Sequence, residues 1–145
     1  MIITFSLAAL LATGLFAGAS LYIQAAEHPA RLKIPAHVAR IQWRHSYLRA
    51  AIMQMSLAVI GFAAAVGVWR LTGDAHWLAG AVLLIAVVPY TFIFIMPTNR
   101  RLMDTGTDLS DGETFALLAV WIRLHAVRSV LSVAALLVMS QAALS

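Results

Sequence analysis

The chain has 145 residues, 62% of them hydrophobic and 11% charged, with a formal net charge of +4 and no cysteine. A mean hydropathy of +0.88 leaves too little polar surface for a soluble domain of this length. The lack of cysteine excludes disulfides, thiolate metal sites and a cysteine nucleophile. The positive charge lies beside apolar runs and forms no basic face with interleaved aromatics, which argues against nucleic acid as a partner.

A membrane-spanning helix needs about 20 mostly apolar residues. The first such run covers residues 2–26. It opens "MIITFSLAALL" with no basic residue, and no small-x-small cleavage site follows, so it reads as a retained helix. Gly14 and Gly18 form a GxxxG pattern, joined by Ala17, Ala19, Gly61 and Ala65. Such small residues serve either close packing within a bundle or a homodimer. The run stops at "AEHPAR", which sets Glu27, His28 and Arg31 at its end. The second run covers residues 47–69, entered through Trp43, His45 and Tyr47, with Arg49 and Gln54 further in.

The third run, residues 77–96, contains Pro89. A proline there leaves the carbonyl of Ile85 without its usual donor and predicts a kink, with Thr91 or a water restoring the partner. Thr98, Asn99 and Arg100 close this run, Asn99 reading as a helix C-cap or a site residue. The fourth run, residues 113–141, is opened by a capping box of Ser110 and Glu113 and is cleanly apolar only after Arg128.

These runs predict an all-α integral membrane protein: one domain over residues 1–145, a four-helix bundle of up-down topology. Arg31, Lys33, Arg40, Arg44 and Arg49 surround the first connection, Arg100 and Arg101 the third, and only Arg70 the second. The positive-inside rule then puts connections one and three in the cytoplasm and both termini on the other side, as expected for a bacterial inner membrane.

All four helices bring polar residues to one membrane end. In "WIRLHAVR", Trp121, His125 and Arg128 share one helical face, as do Gln24, His28 and Arg31 if the helix tolerates Pro29. Ionisable groups within a span face the bundle interior, because lipid exposure is costly. Each has a plainer alternative. Glu27 and Arg31 form either an interfacial ion pair or one wall of a site. Trp43 and Trp121 are either belt anchors or site walls, and Arg128 either snorkels or points inward. His37 and His76 read as loop residues. His28, His45 and His125 with Glu27 supply ligand types for a metal, but no HxxxH, HxxE or ExxH spacing supports one, and no metal ligand is assigned.

The stretches "AEHPAR", "WRHSYLRAAIMQ", "PYTFIFIMPTNRRL" and "WIRLHAVR" together resemble the DUF1772, or anthrone oxygenase, family of membrane proteins. The resemblance implies a small four-helix membrane protein. Its fungal members oxidise anthrones to anthraquinones with molecular oxygen and no established organic cofactor. The shared positions are Pro89, Pro97, Thr98, Asn99, Trp121 and Arg128, while His125 stands where the fungal pattern carries Asn. The implied chemistry is abstraction of an acidic carbon-bound proton by a general base, followed by reaction of the carbanion with oxygen. His125 is the expected base, with Glu27 or His28 as alternatives. Arg128 and Asn99 would hold the enolate oxygen. Trp43, Tyr47, Tyr90 and Trp121 would stack on a flat aromatic or quinone-like ligand, with Gln54 and Thr98 completing its site. Two other classes stay open: a membrane oxidoreductase with a metal held by His and Glu, and a non-enzymatic bundle that binds a lipid or quinone.

Overall fold

Four helices carry the chain: Ile2–Arg31, Ala36–Thr72, Ala75–Met103 and Asp111–Leu144. The computed structural model describes residues 1–145 and contains no strand. Each helix is long and apolar enough to cross a membrane. Short connections force neighbours to run antiparallel, giving the expected up-down bundle. The first and third helices each pack against both the second and the fourth.

The helices reach further than the apolar runs do. The first continues through Pro29 to Arg31, and the second begins at Ala36 rather than near residue 47. Wide turns explain the first extension. Residues Ile23–Glu27 form a π turn whose bond, from the His28 N–H to the Ile23 carbonyl, closes just before Pro29. Thr91–Ile95 do the same before Pro97, with the Met96 N–H on the Thr91 carbonyl. A proline removes one donor and crowds the preceding turn; widening that turn lets the helix go on. Pro89 instead bends its helix at Ala86, between Ala75–Ile85 and Val87–Tyr90. The Thr91 hydroxyl donates to the Val87 carbonyl at 2.7 Å, so it does not restore the partner of Ile85.

Packing follows the logic of helices in lipid, where small residues allow close approach. A Cβ on Gly61 would lie 2.6 Å from Leu84 Cδ2, and one on Gly80 2.5 Å from Met139 Cγ. The tight contacts are therefore at Gly61 and Gly80. Gly18 of the GxxxG pattern faces outward, with nothing within 4 Å of an added Cβ. Large apolar side chains cover the outer surface: Ile52 is 73% exposed and Val130 68%. The interior changes along its length. Alanines, Val68, Trp77 and Met139 fill one end, and Phe16, Ala58, Leu84, Val87 and Ala135 the middle. The other end is built on Trp43, Trp121, Leu102, Leu117 and Leu118.

That end is closed by the third connection. Asp104 accepts from the Thr107 hydroxyl and the Gly106 N–H, which hold its carboxyl below the usual range. Arg40 donates to the carbonyls of Leu102, Thr107, Arg101 and Asp104. The fourth helix then starts at the expected capping box: Ser110 Oγ accepts from the Glu113 N–H, and Glu113 Oε2 from the Ser110 N–H.

Candidate active-site chamber

At the polar end the second and fourth helices face each other through Trp43 and Trp121. The Trp43 ring lies flat on Tyr47, 4.9 Å between centroids and 7° between planes. Trp121 meets Trp43 edge-on at 5.7 Å and 86°. One turn along from Trp121, the His125 ring is 5.0 Å away. These rings, with Gln54, Arg128, Glu27, Arg31 and Ser46, line a narrow chamber. It is tight throughout: the centre of a water-sized molecule has about 10 Å³ to move in.

Two polar networks wall the chamber. In the first, Glu27 Oε1 accepts from Arg31 Nη2 at 2.5 Å, from Gln42 Nε2 at 3.1 Å and from the Ser46 hydroxyl. Arg31 Nε donates to Gln42 Oε1, and its guanidinium lies 5.9 Å over the Trp121 ring. The expected Glu27–Arg31 pair forms, but as part of a cross-helix cluster. Three donors converge on this one carboxylate oxygen, which ties Glu27 to the second helix as well as to its own.

The second network holds a cation without an anion. Arg128 is 8% exposed, and its Nη2 donates to Gln54 Oε1 at 2.7 Å. Gln54 in turn donates from Nε2 to Ser20 Oγ at 3.3 Å. The guanidinium lies 5.4 Å over the Phe16 ring. Arg128 Nε has no partner, and the two ion pairs of the protein are elsewhere, Glu27 with Arg31 and Asp74 with His76.

His125 is 1% exposed. Its Nδ1 lies 3.4 Å from Gln24 Oε1, and its Nε2 has no partner. Gln24 Nε2 faces the Ile122 carbonyl at 3.4 Å, which turns its oxygen toward the ring. An acceptor at Nδ1 favours the tautomer with the proton there and the lone pair on Nε2. The indole N–H groups of Trp43 and Trp121 and Arg31 Nη1 are also unpartnered. Residues lining the chamber thus hold spare donors, which suits a ligand bearing acceptor oxygens.

Other expected site residues sit outside the lining. His28 is buried behind Trp121, with 6.2 Å between ring centroids. Asn99 is buried within its helix, which runs on to Met103, so it is not a C-cap. Its Nδ2 donates to the Tyr47 hydroxyl at 2.8 Å, and its buried Oδ1 has no partner. Thr98 is buried one residue before it. Tyr90 packs on Phe94 at 5.0 Å and against the cluster of Trp43 and Trp121, but is not among the residues lining the chamber. His45 is exposed, and no three His, Asp or Glu side chains converge. The metal reading therefore lacks a donor set. Ser20, Gln42 and Ser46 were missed by the sequence reading. Ser20 and Gln24, like Gln42 and Ser46, are four residues apart on one helical face, a spacing that marks shared polar faces.

A second, larger cavity adjoins the first, with about 130 Å³ open to the centre of a water-sized molecule, and Tyr47, Ala51, Gln54 and Arg128 line both. The second is mostly apolar and reaches the outer surface between the second and third helices, where Met55 and Phe92 are exposed.

Four apolar spans around a buried polar chamber mark an integral membrane protein. The family model for anthrone oxygenase matches residues 43–138, more than half of the chain, and the chain belongs to that family. Comparison with curated proteins and with solved structures gave no match. The family match begins at Trp43 and so does not cover Ser20, Gln24, Glu27 or His28.

Proposed function

We propose that this protein is a membrane oxygenase that oxidises a flat aromatic substrate, anthrone-like or phenolic, with molecular oxygen. The observation that carries the reading is the free Nε2 of His125, in a chamber that also presents the uncompensated guanidinium of Arg128. His125 Nε2 takes the proton from the acidic carbon between the rings. Arg128, which no carboxylate touches, stabilises the enolate oxygen as charge develops on it. The carbanion gives one electron to oxygen, and the two radicals join in a carbon–oxygen bond. The peroxide so formed takes the proton back from His125. Loss of one water leaves a carbonyl where the carbon–hydrogen bonds were, so anthrone and one oxygen molecule become anthraquinone and water.

The perpendicular rings of Trp43 and Trp121 form a corner for the reacting edge, and the ring body extends into the second cavity. Asn99 acts through Tyr47. Arg40, Arg100 and Arg101 lie at the chamber end, which on the positive-inside rule faces the cytoplasm of a bacterial inner membrane. The test is oxygen uptake with emodin anthrone by the reconstituted protein and its His125→Ala and Arg128→Ala variants. Loss in either variant supports the assignment; full activity in both sinks it.

A further inference from the structure

The guanidinium of Arg128 faces two cavities at once. Its Nη2 is held by Gln54, its Nε is free, and no carboxylate touches it. A buried cation in lipid is costly, and a binding partner of opposite charge offsets that cost. The inner chamber is too tight for a multi-ring molecule, whereas the second cavity is larger and apolar. Its far end opens toward lipid beside Phe92 and Met55, which are 56% and 37% exposed. Val88 and Thr91 border this opening, and the bend at Ala86 and the wide turn Thr91–Ile95 shape it.

We propose that the gap between the second and third helices is a lateral portal from the bilayer, and that it binds an amphiphile. The ligand's anionic oxygen meets Arg128 and its apolar body fills the gap. The proposal shares its chamber with the oxygenase reading and adds the route and the ligand's charge. A groove between the first and second helices also reaches the chamber wall, past Gly18 to Glu27. Its charged group is already taken up by Arg31, Gln42 and Ser46, so it offers no such anchor.

The full chain in phosphatidylcholine vesicles is titrated with anthraquinone-2-carboxylate and with neutral 9,10-anthraquinone. Quenching of tryptophan fluorescence reports binding, since Trp43 and Trp121 line the chamber. The carboxylate is expected to bind at least about tenfold more tightly than the neutral quinone. Arg128→Gln is expected to abolish that preference, and Val88→Trp to block binding of both. Gly18→Trp, of equal bulk on the other groove, is expected to change nothing. Should Arg128→Gln fail to fold, Arg128→Lys keeps the charge and is expected to retain the preference. Equal affinity for both probes overturns the anionic anchor. Unchanged binding in Val88→Trp, or a block by Gly18→Trp, overturns the portal. Neither probe can be oxidised between its rings, so binding is read apart from turnover. Binding as described without oxygen uptake on emodin anthrone would refute the oxygenase reading alone.

Discussion

Replacing Gln54 by Leu tests whether the guanidinium of Arg128 is held as the structure describes. Gln54 is 2% exposed and supplies the one acceptor that Arg128 has, at 2.7 Å. Leucine removes that acceptor at similar volume and leaves a buried cation without a hydrogen bond. A hydrogen bond to a charged group contributes about 1.5–3 kcal/mol in proteins generally. Interhelical hydrogen bonds within membranes average about 0.6 kcal/mol and reach about 1.7. The short distance and the full burial of both partners place this one at the upper end. The 3.3 Å bond from Gln54 to Ser20 is longer and neutral and contributes less. Gln54→Leu is therefore expected to destabilise the bundle by about 2 kcal/mol. Arg128→Met alone removes the cation and leaves Gln54 its bond to Ser20. The double variant has no buried charge, and should be less destabilised than the sum of the two by about 1.5 kcal/mol. Reversible unfolding in detergent, followed by circular dichroism, measures all four proteins. Additivity to within about 0.5 kcal/mol would refute the coupling.

Three further outcomes rest on other parts of the fold. Gly80→Val drives a side chain into Met139 and the Ala135 carbonyl, 2.5 and 3.2 Å from the added Cβ. Its unfolding midpoint should drop by the equivalent of about 3 kcal/mol, while Gly18→Val stays within about 0.5. Arg40→Lys replaces a planar fork that reaches four carbonyls by a single point of charge. Proteolysis between residues 104 and 110 should then quicken several-fold. Asp104 is held below the ordinary carboxylate range, so its contribution to loop order is present above that range and is lost as pH falls through the lowered value. Exchange of the Gly106 amide, corrected for the intrinsic rate, should rise at low pH in the native chain, and Asp104→Asn should abolish that dependence.

The four spans were legible because a lipid-crossing helix must be apolar along its length. Their ends were not. Apolar runs stop at the charges Glu27 and Arg31, but backbone hydrogen bonding does not, and a widened turn carries the helix past Pro29. The inward faces of the fourth and second helices were readable, since Trp121, His125 and Arg128, like Tyr47 and Gln54, share spacings that a helix aligns. Depth and rotation of the third helix were not, because the regular helix is interrupted at Ala86 and the wide turn Thr91–Ile95 shifts the register of the residues beyond it. Asn99 and Tyr90 consequently miss the chamber. The partners of Glu27 were hidden for another reason: Gln42 and Ser46 precede the apolar run of the second helix, where nothing in composition announces a helix.

The central claim is that a buried imidazole starts the oxidation of an aromatic carbon acid by oxygen. Oxygen consumption with emodin anthrone, in vesicles holding the purified protein and in empty vesicles, measures it most directly. The expected result is one oxygen consumed per anthrone, well above the empty-vesicle rate, falling by about 10²-fold or more in His125→Ala. Consumption no faster than in empty vesicles, or a His125→Ala protein as fast as the native chain, would contradict it.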